Sequence, residues 1–170
     1  VIEEFFGTGM ATKIKAKLPQ GTKIRLVIAM NVLAHTDNIN QFLNEVTELM
    51  GPDTVFISQS HWLVALVRKF EFDTIYHEHL RYYTLESLMR LFQSHGLTIY
   101  DAELTDFYGG SVLSYATKSS AAKLEYRSEG LKSVLKEEEG VNMGEVFKDM
   151  SQKLLKNKAE LLTLLTDLKL

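Results

Sequence analysis

Four polar, titratable side chains stand in a row at Tyr76-His77-Glu78-His79, between Ile75 and Leu80. Packing alone gives no reason for such a run. An imidazole titrating near neutrality can take a proton, a neighbouring carboxylate can orient it, and a phenol can donate a hydrogen bond to a developing oxyanion. Phe72, Tyr82 and Tyr83 are placed to wall a pocket around the run. His77 and His79 also form a His-x-His pair. On a strand this spacing puts both rings on one face, as a metal site requires, with His35 or His61 as further ligands. The acid–base reading needs no extra ligands, so it is preferred and no metal is assigned.

Two further groups sit where chemistry can be placed. His35 closely follows an apolar run at 24–31 that reads as a strand. Ligands of parallel α/β sheets bind beyond the carboxyl ends of strands. Asn31 and His35 therefore lie at a ligand position, unless Asn31 merely satisfies a strand-end carbonyl and Asp37 caps the next helix. Ser58, Gln59, Ser60 and His61 are expected in the same kind of place after the following strand. Tyr108-Gly109-Gly110-Ser111 joins two late strands, where paired glycines allow a plain turn or a close approach of backbone to ligand. Gly7-Thr8-Gly9 before a helix has the start of a phosphate cradle, but Thr12 stands where a third glycine is needed.

The elements that must position these residues are legible from periodicity. Residues 1–6 read as a short strand. Thr8 is expected to cap a helix over 9–18, which Pro19-Gln20-Gly21 ends. The run 24–31 reads as a strand buried on both faces, and 54–58 as another. Between them Ile39, Phe42, Leu43, Val46, Leu49 and Met50 repeat at helical spacing until Gly51-Pro52. A short apolar helix over 62–70 precedes the irregular stretch 72–83. Thr84 caps a helix carrying Leu85, Leu88, Leu91 and Phe92, which Gly96 ends. Residues 97–104 and 111–118 read as an antiparallel strand pair. The alternation predicts an α/β fold: part of a doubly wound, Rossmann-like sheet ending in an antiparallel pair, followed by C-terminal helices.

The stretch 119–142 is polar, with the acidic run Glu137-Glu138-Glu139, and reads as a solvated face or linker. Phe147, Met150, Leu154, Leu161, Leu164 and Leu168 then repeat at heptad-like spacing interrupted by Asn157. This suits an amphipathic helix packed on its own domain or a neighbour better than a coiled coil. The pattern runs into Leu168-Lys169-Leu170, and the chain opens on Val1-Ile2, so both ends read as cuts through a longer protein.

Bulk composition excludes several classes. A chain of 170 residues that is 45% hydrophobic supports one soluble domain. A net charge of −3 with scattered basic residues leaves no electrostatic footprint for nucleic acid. The absence of cysteine excludes disulfides, thiolate metal sites and a cysteine nucleophile. No apolar run approaches the roughly 20 residues that span a bilayer, and no signal peptide is evident. A cytoplasmic protein is expected; nothing specifies an oligomeric state.

Three segments together resemble one family. Asn31-Val32-Leu33-Ala34-His35, FDTIYHEHLRYYTLESL over 72–88, and YGGSVLSYA over 108–116 are similar, in order and spacing, to the sugar C-methyltransferases. These are the enzymes that C-methylate dTDP-4-keto deoxysugars at C3. The resemblance covers roughly residues 1–118. It implies a class I S-adenosylmethionine-dependent fold and a small-molecule substrate, a nucleotide sugar with a C4 ketone. A base removes the proton beside the ketone, and the enolate attacks the methyl group. Carried over by position, His79 is the base and Tyr76 and Glu78 support it. His35, Tyr108 and Ser111 face the substrate, and Asn31 faces the cofactor. Leu113 stands where the family often has an arginine. The family's paired-cysteine domain and its glycine-rich cofactor loop are missing from this chain. The resemblance therefore divides the chain into 1–118, the C-terminal half of the catalytic domain, and 119–170, a helical linker to a further C-terminal domain. The alternatives are a methyltransferase of another small-molecule ketone and a non-catalytic α/β fragment.

Overall fold

The computed structural model describes residues 1–122 and 128–168. Residues 123–127 of the polar stretch, and Lys169 and Leu170 of the terminal pattern, lie outside the described residues. Helices α1 (Met10–Lys17), α2 (Ile39–Leu49), α3 (Leu63–Lys69), α4 (Leu85–Ser94), α5 (Glu129–Glu138) and α6 (Met143–Asp167) surround a sheet of β1 (Leu26–Met30), β2 (Val55–His61), β3 (Leu97–Thr105) and β4 (Ser111–Lys118). The strand order is β1-β2-β4-β3. β1 and β2 are parallel across the α2 crossover, while β4 is antiparallel to both its neighbours. The expected mixed α/β sheet ending in an antiparallel pair is therefore present.

One face of the sheet carries the core. Phe56 of β2 stacks on Phe92 of α4, with ring centroids 5.4 Å apart. Leu43 and Val46 of α2, Leu85 and Leu88 of α4, and Leu131 and Val134 of α5 close around them. Each fully buried leucine or phenylalanine contributes about 1.5–3 kcal/mol of transfer free energy. α5 is thus part of the core rather than a solvated stretch. Its carboxyl end is tied down as well: Arg68 of α3 pairs with Glu137 at 3.0 Å. Glu138 accepts from the Trp62 indole at 2.7 Å and from the Leu85 and Glu86 backbone N–H groups.

Several local expectations are corrected. Residues 1–6 form no strand; Phe6 instead packs edge-on against Phe42 of α2, at 5.1 Å. Thr8 does not cap α1. Gly9 is the N-cap, at φ 79°, and the buried carboxylate of Glu45 on α2 accepts from the Gly9 and Ala11 N–H groups at 2.7 Å each. A long-range carboxylate does what a local hydroxyl was expected to do, and it suits the positive end of the helix dipole. Asn38, not Asp37, caps α2 by accepting from Gln41 N–H.

β1 is not buried on both faces. Ala29 is buried, but Leu26, Ile28 and Met30 are 48%, 56% and 47% exposed. β1 is an edge strand, and among the described residues nothing covers its second face. β2 runs three residues beyond its expected end, through Gln59, Ser60 and His61. Ser58 and Gln59 are satisfied from β4, whereas Ser60 Oγ and His61 Nε2 have no partner among the described residues. Ser58 and Ser114 hydroxyls share a bond of 2.8 Å, and the Gln59 amide donates to Ser111 Oγ at 2.6 Å. Such pairing removes the desolvation penalty that would otherwise exclude them.

α6 meets the body only near its start, where Val146 and Met150 pack with Leu66 and Val67 of α3. Beyond that Leu155, Leu161, Leu162 and Leu164 are more than half exposed. No described helix is long and apolar enough to cross a membrane.

Candidate active site

The carboxyl ends of β1 and β2 point the same way, and three histidines gather there. His35 lies on the 3₁₀ turn Leu33–His35 after β1, and His61 is the last residue of β2. His79 comes from the irregular stretch after the 3₁₀ turn Phe72–Thr74. The His79 ring centroid is 4.8 Å from His35 and 4.9 Å from His61. Tyr76 lies at 4.4 Å and Tyr82 at 6.1 Å from the same ring, and Tyr108 lies 5.6 Å from His61.

Stitching between the loops brings distant sequence together. Leu80 N–H donates to Ala34 C=O at 2.9 Å, and Arg81 donates to the carbonyls of Thr36 and Asp37. These bonds lock the His79 loop onto the His35 loop. Trp62 N–H donates to Gly110 C=O and Leu63 N–H to Tyr83 C=O, which hold the end of β2 against the β3–β4 connection. That connection needs its glycines. A Cβ on Gly110 would lie 2.5 Å from the Ala65 methyl, and one on Gly109 would run into the Glu71 carboxylate. The turn in turn sets Tyr108, itself at φ 52°, beside His61.

His79 has the geometry of a general base. It is 8% exposed. Its Nδ1 lies 2.8 Å from the Thr74 carbonyl, which can only accept. The proton of the neutral ring therefore sits on Nδ1 and leaves Nε2 with its lone pair. The Tyr76 hydroxyl lies 3.3 Å from that Nε2 and donates to it. Tyr82 also donates to the Thr74 carbonyl, at 3.1 Å, and so steadies the acceptor that orients the ring.

The other expected residues separate into those present and those absent. Tyr76, Tyr108 and His35 reach the cluster. Glu78 does not orient His79; its carboxylate points to His77 Nε2 at 3.9 Å, and both side chains are largely in solvent. The backbone carbonyl of Thr74 takes the role expected of that carboxylate. Ser111 is fully buried, its hydroxyl accepting from Gln59 and donating to the Phe107 carbonyl. The His-x-His pair does not assemble, because the His77 side chain is 89% exposed. Among the described residues no group of three or more His, Asp or Glu side chains has metal-binding geometry. Of the expected aromatic walls, only Tyr82 serves. Tyr83 is buried in the core and Phe72 packs against Phe70.

Asn31 adopts φ 52° at the end of β1, and its amide nitrogen lies 3.5 Å from His35 Nε2. Its Oδ1 is buried and has no partner among the described residues. Asn31 and His35 open onto a cleft of ≈ 480 Å³ that Phe5, Phe6 and Gln41 also line. An unpaired buried acceptor beside aromatic side chains suits a ligand with a polar group and a flat ring, such as an adenosyl cofactor.

His61 joins the cluster at the carboxyl end of β2, the kind of ligand position expected for it, but as the last residue of the strand and not from a segment after it. Its Nε2 is buried without a partner among the described residues. Burial lowers its pKa from the ordinary histidine range, and the neighbouring His79 and His35 add to the effect. The signal that the strand runs on to it is the serine and glutamine pattern of β2, where Ser58 and Gln59 pair with Ser114 and Ser111.

Comparison with known proteins identifies the family. Residues 8–102 match the family model described as "Methyltransferase domain". Over 97 residues the chain is 41% identical to a protein described as C-methyltransferase NovU, from Streptomyces niveus. That alignment covers 57% of this chain and 23% of the relative, so the matched region spans about a quarter of that protein's length. Among solved structures, magnesium protoporphyrin IX methyltransferase ChlM from Synechocystis PCC 6803 with bound SAH is 19% identical, with a TM-score of 0.44 over 61% of this chain and 48% of that one. A possible histamine N-methyltransferase from Thermotoga maritima is 13% identical, with a TM-score of 0.44 over 59% of each chain. The sequence match to the family model carries the assignment.

Proposed function

This chain belongs to the methyltransferase-domain family, and we propose that it supplies the acid–base half of an S-adenosylmethionine-dependent C-methyltransferase acting on a nucleotide-linked keto sugar. One observation carries the reading: a buried imidazole, His79, whose Nδ1 is fixed on the Thr74 carbonyl and whose Nε2 lone pair faces the Tyr76 hydroxyl. The similarity to a C-methyltransferase supports it.

Removal of a proton beside a ketone needs a placed base and a partner for the oxygen that becomes negative. His79 Nε2 receives the proton. The Thr74 carbonyl then stabilises the imidazolium through Nδ1–H. Tyr76 donates to Nε2 before substrate arrives, so substrate binding must turn that hydroxyl away, and the substrate oxygen is its natural new acceptor. His35 and Tyr108 border the space around the reacting carbon. S-Adenosylmethionine, when bound, supplies the electrophilic methyl group. Asn31, with its unpaired Oδ1 in the cleft with Phe5 and Phe6, is the residue of this chain that would hold it.

The sheet is part of the class I methyltransferase fold. In the same proposal, residues 1–118 form the C-terminal half of the catalytic domain and 119–170 lead to a further C-terminal domain, with α5 folded back onto the catalytic half. The uncovered Leu26, Ile28 and Met30 face and the free edge of β1 support this, because an apolar edge strand is a seat for more sheet. The half that carries the glycine-rich cofactor loop would dock there.

The test is transfer of labelled methyl from S-adenosylmethionine to a dTDP-4-keto-6-deoxyhexose by the complete enzyme containing this chain. A new C–CH3 bond beside the ketone is expected, with His79→Ala slower by about 10²–10⁴. Full activity in His79→Ala would remove the base from this scheme.

A further inference from the structure

The three-histidine cluster holds one polar atom that the scheme above does not use. We infer that His61 donates a hydrogen bond from Nε2 to the ketone oxygen of the bound substrate, beside the carbon that His79 deprotonates. This rests on the proposed base chemistry and deepens it by giving that oxygen a second donor beside the Tyr76 hydroxyl.

Three observations lead to this residue. His61 is 8% exposed, yet its Nε2 has no partner among the described residues. A buried ring nitrogen left unpaired is costly, so a site that keeps one has a use for it. Second, the His61 ring stands perpendicular to His79, at 86° and 4.9 Å between centroids. Two groups so close can address adjacent atoms of one small ligand. Third, His61 is rigidly placed. It ends β2 in register with Ser111, and the next residue, Trp62, is fixed by the Gly110 carbonyl and by Glu138. A fixed donor aimed at developing charge needs no reorganisation when the charge appears.

The protonation state fits the same role. Burial and the two neighbouring imidazoles hold the pKa of His61 down, so the ring stays neutral at physiological pH. A neutral imidazole donates a hydrogen bond without surrendering a proton that would quench the enolate. It also adds no positive charge that would keep His79 from accepting one.

The step balances. The C–H bond beside the ketone breaks, and its electron pair becomes the new carbon–carbon double bond. The carbonyl π pair moves onto oxygen, where His61 Nε2–H meets it. The proton goes to His79 Nε2. No oxidant, reductant or methyl donor takes part in this half-reaction, so it can be read separately.

The experiment is solvent exchange at the carbon beside the ketone. The complete enzyme containing this chain is incubated in D2O with a dTDP-4-keto-6-deoxyhexose and no methyl donor, and deuterium uptake is followed by mass spectrometry. His61→Phe is expected to slow exchange by about 100-fold, in keeping with loss of one oxyanion donor. Binding should change far less, and His61→Gln, which keeps an N–H donor, should recover part of the rate. If His61→Phe exchanges within about threefold of the unsubstituted enzyme while His79→Ala does not exchange, the His61 assignment is overturned and the base stands. If His79→Ala exchanges normally, or the unsubstituted enzyme gives no exchange, both assignments fall. Should His61→Phe not fold, ¹⁵N NMR of the unsubstituted enzyme decides. An Nε2–H resonance that shifts when the keto sugar nucleotide is added supports the donor role, and an unprotonated Nε2 in the complex overturns it.

Discussion

Glu138→Ala should loosen the whole end of the sheet that carries the histidines. Glu138 accepts three hydrogen bonds: from the Trp62 indole at 2.7 Å, from Leu85 N–H at 2.5 Å and from Glu86 N–H at 3.0 Å. The last two are first-turn donors of α4. The third donor of that turn, Ser87 N–H, goes to the capping Thr84 side chain, so α4 begins with all three satisfied. Truncation orphans the partly buried Trp62 and Leu85 donors and exposes Glu86 N–H to water at little cost. Hydrogen bonds to a charged acceptor are worth about 1.5–3 kcal/mol each, and partial exposure discounts them. The expected loss is therefore about 2–3 kcal/mol. For a chain of this size each kcal/mol moves the melting temperature by about 2–4 °C, so a fall of about 4–12 °C follows. Glu138→Gln keeps one carbonyl acceptor and should lose about half as much. Trp62 is the chain's single tryptophan, with the Arg68 guanidinium 5.7 Å from its ring centroid. Its emission reports this contact directly. Urea unfolding followed by that emission is the assay. A midpoint for Glu138→Ala within about 0.5 kcal/mol of the unsubstituted chain, with the emission maximum unmoved, would refute the argument.

Two titrations follow from the same contacts. The pKa of His61 is lower in the folded chain than in the unfolded one, so the unfolded state binds the extra proton first. Stability from this group is complete above the ordinary histidine value of about 6.5 and declines as pH falls through and below it, by at most about 1.4 kcal/mol per pH unit. Urea midpoints between pH 7.5 and 5 should show this slope, and His61→Phe should flatten it; an equal slope in the variant would count against the burial argument. At high pH, burial raises Tyr83 to about 12, and a hydrogen bond to Glu103 raises Tyr115 to about 12. Ultraviolet titration of the phenolates should leave at least two of the seven tyrosines, Tyr83 and Tyr115, largely un-ionised at pH 11. Tyr115→Phe should remove one late ionisation, and a single transition near 10 would contradict both assignments.

Local signals in the chain were sufficient where the stabilising partner is itself local. Thr84 before an apolar periodic run became the cap of α4, and Gly96 ended that helix at φ 71°. Elements whose ends depend on distant side chains were misread. α1 starts where Glu45, thirty-four residues beyond Ala11, supplies a carboxylate. β2 runs to His61 because its backbone pairs with β4 as far as Ser111, and Ser114 and Ser111 satisfy Ser58 and Gln59 on the way. The acidic run Glu137-Glu138-Glu139 reads as a solvated face because nothing nearby in sequence announces Trp62 or the start of α4. In the site, a side-chain motif identified His79 and Tyr76, but a motif of side chains is blind to a backbone carbonyl. Glu78 was therefore credited with the orientation that Thr74 provides.

The contacts that position His79 have a consequence for how the enzyme is divided. The Thr74 carbonyl, the Tyr76 and Tyr82 hydroxyls, the Leu80–Ala34 bond and the Arg81 bridges all lie between Ala34 and Tyr82. None of them crosses the uncovered face of β1. The base is thus preorganised by one stretch of chain, while Asn31 sits at the strand end bordering that face. Proton abstraction depends on contacts already made here; methyl transfer also needs whatever covers Leu26, Ile28 and Met30. The two half-reactions are expected to respond differently to perturbation. Charge placed on β1, as in Ile28→Lys, should impair methyl transfer by the complete enzyme while leaving deuterium exchange at the keto sugar nearly intact. Equal loss of both would mean that the base is not independently organised.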